Sequence, residues 1–133
     1  MSGLFTCPVC GGPLAQGEKV WRCPHGHSYD VAAEGYVYLL PPNKKHSKAP
    51  GDTKQMVAAR RAFLEAGYYE PFRRLLCELA CGALRGVAAP AVLDVGCGEG
   101  WYTGALLESL AGTGCTLSMA AFDISKAAVR AAP

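Results

Sequence analysis

Four residues near the start of the chain, Cys7, Cys10, Cys23 and His27, have the types and the spacing of a metal site. They read C-x2-C-x12-C-x3-H. Two tight chelating pairs separated by a hairpin-sized insert suit a tetrahedral ion, and three thiolates with one imidazole form a closed structural set that favours zinc. His27 gives the usual three-residue gap after Cys23, whereas His25, with one intervening residue, closes a more strained chelate ring; the spacing favours His27. The plainer alternative is three buried cysteines and a surface histidine, but a second pair at ribbon spacing argues against it. Gly11, Gly12, Pro13 and Gly26 supply turns around the two ligand loops.

The second stretch able to do chemistry is residues 92–100, Val-Leu-Asp-Val-Gly-Cys-Gly-Glu-Gly. Val92, Leu93 and Val95 flank Asp94 in a short apolar run, glycines at 96, 98 and 100 follow at once, and residues 101–110 read as a helix. Strand, glycine-rich turn and helix open a doubly wound α/β sheet. The G-x-G-x-G spacing is not the G-x-G-x-x-G of a dinucleotide pyrophosphate site. The next apolar run, residues 119–122, ends in Asp123, a carboxylate placed at a strand tip to accept the hydroxyls of a ribose. Asp94, the glycine loop, the helix and Asp123 together resemble the S-adenosylmethionine site of Rossmann-fold methyltransferases. That resemblance implies that the loop 96–100 wraps the methionine end of the cofactor and that Asp123 holds its ribose.

Other elements must position these two sites. Residues 19–22 and 36–40 alternate as short strands beside the metal. A ribbon so small has little core, so the metal is expected to supply much of its stability. Residues 41–52 carry prolines, a glycine and three lysines and read as a linker. Asp52-x-x-Gln55 is expected to cap a first helix whose buried face holds Met56, Val57, Ala59, Phe63 and Leu64 and which Gly67 ends. Pro71 suits the first turn of a second helix, with Phe72, Leu75, Leu76, Leu79 and Ala83 as its apolar stripe. Cys77, Cys81 and Cys115 read as small apolar fillers. The domain organisation expected is thus 1–40 for a zinc-binding domain, 41–52 for a basic linker and 53–133 for the start of a methyltransferase domain.

Composition narrows the class further. Half of the 133 residues are hydrophobic, which suits a globular chain rather than a disordered one. No apolar run reaches the length of a membrane span and no signal peptide opens the sequence, so no membrane partner is expected. Seven clustered cysteines without such a signal point to a reducing, cytoplasmic setting rather than a disulfide scaffold. The formal charge is only +2, but residues 41–61 hold six Lys/Arg against one Asp. Lys44, Lys45, Lys48, Arg60 and Arg61 are therefore candidate phosphate contacts on a nucleic acid, against the plainer reading of a solvated hinge. Two strands cannot make the sheet to which the glycine motif normally belongs, so the sequence is expected to be the N-terminal part of a longer protein.

Beyond the two sites, the order of motifs is specific. After the ribbon come His27-x-Tyr-Asp30, Glu34-Gly-Tyr-Val-x-Leu-Leu40, Pro50-Gly-Asp-Thr53, Ala59-Arg-Arg-Ala-Phe-Leu64, Gly67-x-Tyr-x-Pro71 and Leu93-Asp-x-Gly-Cys-Gly-Glu-Gly100. This order resembles, over essentially the whole chain, the 23S ribosomal RNA guanine-N1 methyltransferases of the RlmA type. The resemblance implies a zinc domain that recognises an rRNA hairpin, joined to a Rossmann-type methyltransferase domain that uses S-adenosylmethionine. It implies that Cys7, Cys10, Cys23 and His27 bind one structural zinc, that Tyr69 lies against the cofactor, and that Gly98, Glu99 and Gly100 belong to the cofactor loop with Asp94, Gly96 and Asp123. The partner expected is a 23S rRNA hairpin, with bases stacked on Tyr29, Tyr36 or Tyr38; a homodimer is an open option for assembly. Methylation at guanine N1 calls for removal of the N1 proton, and no residue here stands out as the general base. Two other readings stand beside this one: an RNA-binding fragment without activity, and a small-molecule methyltransferase, against which the basic strip speaks.

Overall fold

A computed structural model describes residues 3–112 and 116–132. The chain divides into two compact units, Met1–Pro50 and Gly51–Pro133. Residues 41–50 fall with the first unit, while Gly51 and Asp52 fall with the second. Cys115 lies outside the described residues.

The first unit is a three-stranded antiparallel ribbon: β1 (Ala15–Gln16), β2 (Val20–Arg22) and β3 (Ser28–Asp30), in that spatial order. Trp21 lies opposite Tyr29 across β2 and β3. The buried core is Cys7, Leu14 and Cys23, with Phe5, Trp21, Tyr29 and Leu39 packed around it. The expected strand over residues 36–40 does not form. The partner of β2 is β3 instead, and after the turn closed by Ala32 N–H to the Tyr36 carbonyl (2.9 Å) only Val37 bridges back, to Val31. Leu39 turns into the core, and Pro41 and Pro42, which have no N–H to give a ladder, lead into a 3-10 turn over Pro42–Lys44.

The second unit contains α1 (Lys54–Glu65), α2 (Glu70–Ala83), β4 (Ala91–Val95), α3 (Trp101–Ala111), β5 (Ser118–Phe122) and α4 (Lys126–Val129). β4 and β5 pair in parallel, from Ala91 opposite Ser118 to Val95 opposite Phe122. With α3 as the crossover, this is a parallel β-α-β unit. The mixed α/β class expected from the sequence, a ribbon followed by helices and one such unit, is the class observed.

Helix details differ from expectation. The cap of α1 is Thr53, whose hydroxyl accepts the Met56 N–H at 3.3 Å, not Asp52. Asp52 is held elsewhere: its carboxylate pairs with Arg60 at 2.6 Å and its carbonyl accepts the Ser125 hydroxyl at 2.6 Å. The buried face of α1 is Val57 and Leu64, whereas Met56 and Phe63 are about half exposed. Val57, Arg61 and Leu64 follow an i, i+4, i+7 spacing, so the inward stripe runs through an arginine, which the apolar pattern could not reveal. In α2 only Cys77 is buried, and Phe72, Leu75, Leu76 and Leu79 are exposed. The face turned to α3 is the one bearing Arg73, Cys77 and Cys81, which line a groove with Ala105, Glu108 and Ser109; of the apolar stripe, Phe72 meets Tyr69 and Tyr102 edge-on, while Leu75, Leu76 and Leu79 stay exposed. Pro71 sits in the first turn of α2 and Gly67, at φ 86°, ends α1 as expected.

The contact between Asp52 and Ser125 needs a glycine before it. Gly51 has φ +80°, and a Cβ there would lie 2.7 Å from the Ser125 backbone nitrogen. Gly51→Ala combines left-handed strain with a clash against backbone, and is expected to destabilise the second unit by roughly 2–4 kcal/mol. Equilibrium urea unfolding measures this; an unchanged midpoint would show that the 51–52 segment is not docked on α4.

Candidate metal centre and cofactor loop

The ribbon brings Cys7, Cys10, Cys23 and His27 together, with one donor atom from each lying within 4.8 Å of all the others. The Cys10 and Cys23 sulfurs are 3.7 Å apart, and His27 Nδ1 is 3.6 Å from the Cys7 sulfur and 3.2 Å from that of Cys23. A tetrahedron with metal–sulfur bonds near 2.3 Å and metal–nitrogen bonds near 2.0 Å has edges of about 3.8 Å between sulfurs and about 3.5 Å between sulfur and nitrogen. The spacing of the donors and their chemistry therefore fit zinc. His25 is exposed and outside the group.

Local backbone bonds build the two loops. Gly11 N–H reaches the Cys7 carbonyl and Cys7 N–H reaches the Gly12 carbonyl, both at 2.8 Å; Cys23 N–H donates to the His27 carbonyl at 3.0 Å and Gly26 N–H to the Cys23 carbonyl at 3.1 Å. Burial raises the Cys7 thiol, but the Tyr29 hydroxyl and the backbone amides of Cys10 and Val9 outweigh it and hold its pKa at about 6, in the thiolate range at neutral pH. The Gly12 amide lowers Cys10, yet burial and the thiols of Cys7 and Cys23 push it up on balance. The hydrogen bond to Cys7, at 3.1 Å, is the first cause of a Tyr29 pKa pushed up to about 12. Tyr29, a candidate for base stacking, is packed half-buried against the core with its hydroxyl on a ligand sulfur.

In the second unit, β4 and β5 end side by side, which sets the glycine loop against Asp123. Gly96, Gly98 and Gly100 all have positive φ (82°, 59° and 80°), so the loop takes a path that side chains at those positions would resist. The N–H groups of Gly96 and Cys97 both donate to the Phe122 carbonyl, at 2.8 and 3.1 Å. Asp123 accepts Gly98 N–H on one oxygen at 2.9 Å and Ser125 N–H on the other at 2.7 Å. A carboxylate offers about four acceptor sites, so this clamp leaves capacity for ligand hydroxyls. Asp94 accepts the Thr103 hydroxyl at 2.6 Å, tying β4 to α3. Burial first, then the Asp94 and Asp123 carboxylates, raises the Cys97 thiol and keeps it neutral.

Glu99 is buried and accepts Arg61 Nε at 3.0 Å, and Arg61 Nη2 donates to the Ala131 carbonyl at 3.0 Å. Tyr69 is half exposed and meets Phe63 and Phe72 edge-on; Phe72 in turn meets Tyr102 beside the loop. No ring contact runs from Tyr69 to the loop itself among the described residues. Arg73, whose guanidinium lies 4.0 Å over the Trp101 ring, also holds the start of α3, and nothing in the sequence pattern signals it. Of the candidate phosphate contacts, Lys44, Lys45 and Lys48 are exposed in the first unit, with no ion pair among the described residues, while Arg60 and Arg61 sit in the second unit and are paired with Asp52 and Glu99.

Residues 5–48 match the family described as "RlmA, N-terminal", a zinc ribbon. The chain is 39% identical, over 96% of its length, to the 23S rRNA (guanine(748)-N(1))-methyltransferase of Streptomyces fradiae. It is 40% identical, again over 96% of its length, to a Micromonospora griseorubida protein provisionally named a 23S rRNA (guanine-N1)-methyltransferase. A Bacillus subtilis (strain 168) protein with the same provisional name is 31% identical over 86% of the chain. The chain spans less than half the length of these relatives: 43%, 46% and 43% respectively.

Metal analysis of the purified protein is expected to find one zinc per chain. Cys7→Ser and Cys23→Ser should each lose it and unfold the ribbon, since a structural zinc site contributes folding free energy directly. His27→Ala should lose the metal and His25→Ala retain it; the reverse pattern would assign the fourth ligand to His25.

Proposed function

We propose that this chain, which carries an RlmA-type zinc ribbon and is related over nearly its whole length to 23S rRNA (guanine-N1)-methyltransferases, serves the S-adenosylmethionine-dependent methylation of guanine N1 in a 23S rRNA hairpin. The observation that carries the reading is the clamp at the ends of two parallel strands, where Asp123 grips the Gly98 amide of a three-glycine loop. It supports a ligand with vicinal hydroxyls beside a close-approaching backbone. S-adenosylmethionine, when bound, supplies a methyl group from its sulfonium for in-line transfer.

The chain's own residues bind and orient. In this reading Gly96, Gly98 and Gly100 let the cofactor approach the backbone, Asp123 accepts ribose hydroxyls, Asp94 ties β4 to α3 on either side of the loop, and Glu99 and Tyr69 border the site. Zinc, on Cys7, Cys10, Cys23 and His27, is structural: four protein donors leave no open position for a reacting group. Lys44, Lys45 and Lys48 hold phosphates, and base choice rests on exposed groups of the ribbon such as Tyr38.

The direct test is methyl transfer to a 23S rRNA fragment by the protein that carries this chain, read by reverse transcription, which stops at N1-methylguanine because the methyl blocks pairing. Asp123→Ala is expected to weaken cofactor binding by about 1.5–3 kcal/mol through lost hydrogen bonds to a charged group. Methylation at another atom, or calorimetry showing unchanged affinity in Asp123→Ala, would count against this reading. Replacing Lys44, Lys45 and Lys48 together by alanine should lower the log–log salt slope of RNA binding by about two to three, and reduce affinity for matched and mismatched hairpins alike. An unchanged slope would make these lysines a solvated surface.

A further inference from the structure

We infer that Arg61 is a positioning residue for the glycine loop rather than a phosphate contact, bridging the loop at Glu99 to the chain after α4. This goes beyond the proposed function and rests on its reading of the loop as the cofactor site. Glu99 lies between Gly98 and Gly100, both in the left-handed region. Glycine on either side gives the backbone its greatest local freedom at this point of the loop. The Glu99 side chain is only 7% exposed, and a carboxylate so placed needs a charged or hydrogen-bonded partner. Arg61 Nε supplies it at 3.0 Å.

The same guanidinium reaches a third segment. Nη2 donates to the Ala131 carbonyl at 3.0 Å, just past the helix α4 whose cap, Ser125, also donates its backbone N–H to Asp123. The loop is thereby held at two consecutive residues, at Gly98 by Asp123 and at Glu99 by Arg61. A planar fork that donates in two directions does this, and the single ammonium of lysine does not reproduce it. Arg61 lies between the buried Val57 and Leu64 along α1, and its side chain, 43% exposed, is directed by its two hydrogen bonds to Glu99 and Ala131. Its neighbour Arg60 points outward to Asp52 and is 56% exposed.

The experiment uses the protein carrying this chain, with Arg61→Gln, Arg61→Lys, Glu99→Gln and the Arg61→Gln/Glu99→Gln double variant. Calorimetric titration with S-adenosylhomocysteine reads the site, amide hydrogen exchange of residues 96–104 in the free protein reads the loop, and the salt slope of RNA binding reads phosphate contact. Arg61→Gln should weaken binding about tenfold, the scale of one charge-assisted hydrogen bond, and speed exchange in the loop. Arg61→Lys should not restore either property. The double variant should be no worse than Glu99→Gln alone, because both remove one interaction. The salt slope should not move. If the unsubstituted protein does not bind S-adenosylhomocysteine, the cofactor reading fails, and hydrogen exchange still judges the tether. Unchanged loop exchange, or a salt slope lowered by about one with binding intact, would overturn the role given to Arg61. If Arg61→Gln fails to fold, Glu99→Gln alone decides: it should loosen the loop, and a loop as protected as the original would overturn the inference.

Discussion

Two of the three side chains at the core of the first unit are cysteines that converge on one point. That convergence is the constraint on which the ribbon depends. Among the described residues Leu14 is the only hydrocarbon side chain in that buried cluster, and burying a leucine contributes only about 1.5–3 kcal/mol. Thiolates drawn within 4.8 Å of one another repel unless a cation sits among them. A bound zinc reverses the sign of that term, and binding to such ligand sets is worth on the order of 10–16 kcal/mol in small peptides. The metal thus stands where a larger domain would place a packed interior. The aromatic shell of Phe5, Trp21 and Tyr29 shields it, and the pairing of Trp21 with Tyr29 across β2 and β3 delivers the Tyr29 hydroxyl to the Cys7 sulfur.

The second unit solves a different problem. Parallel strands that end in register, Val95 beside Phe122, must each leave the sheet at the same edge. The chain after β4 does so through glycines whose amides would point at nothing. Phe122 and Asp123 accept three amides of this loop, those of Gly96, Cys97 and Gly98. Strand pairing therefore chooses where the loop stands, and the carboxylate of the neighbouring strand fixes its shape. A ligand binding there meets a loop already organised, which lowers the ordering cost of association.

Both features were legible in the sequence because they are local. Ligand spacing in a ribbon is a property of two short turns, and the glycine pattern after an apolar run is a property of one strand-to-helix junction. What could not be read was long-range. Residues 36–40 alternate like a strand, but β3 had taken the neighbouring position and prolines followed. The stripe of α2 was apolar, yet the side facing α3 is the one with Arg73 and Cys77. In α1 the pattern of large apolar residues suggested a face through Met56 and Phe63, and the actual face is narrower and carries a charge. Periodicity finds inward arginines only when their carboxylate is known, and Glu99 is 38 residues away.

The adjacent arginines show why counting charges along a sequence overstates a basic patch. Successive helical residues are about 100° apart, so Arg60 and Arg61 cannot share one face. Arg60 is paired with Asp52 at the helix start and Arg61 with a buried carboxylate of the loop. Each pair is close to neutral at long range, so neither adds much to the field that a polyanion meets. The excess of six Lys/Arg over one Asp in residues 41–61 then reduces to lysines, and three of these, Lys44, Lys45 and Lys48, lie within five residues of the same ribbon unit. A dense cluster of flexible ammonium groups suits phosphate attraction without sequence readout. In the proposed reading the electrostatic case for RNA thus rests on the lysines of the first unit, whereas Arg61 reaches the loop and Arg60 the start of α1.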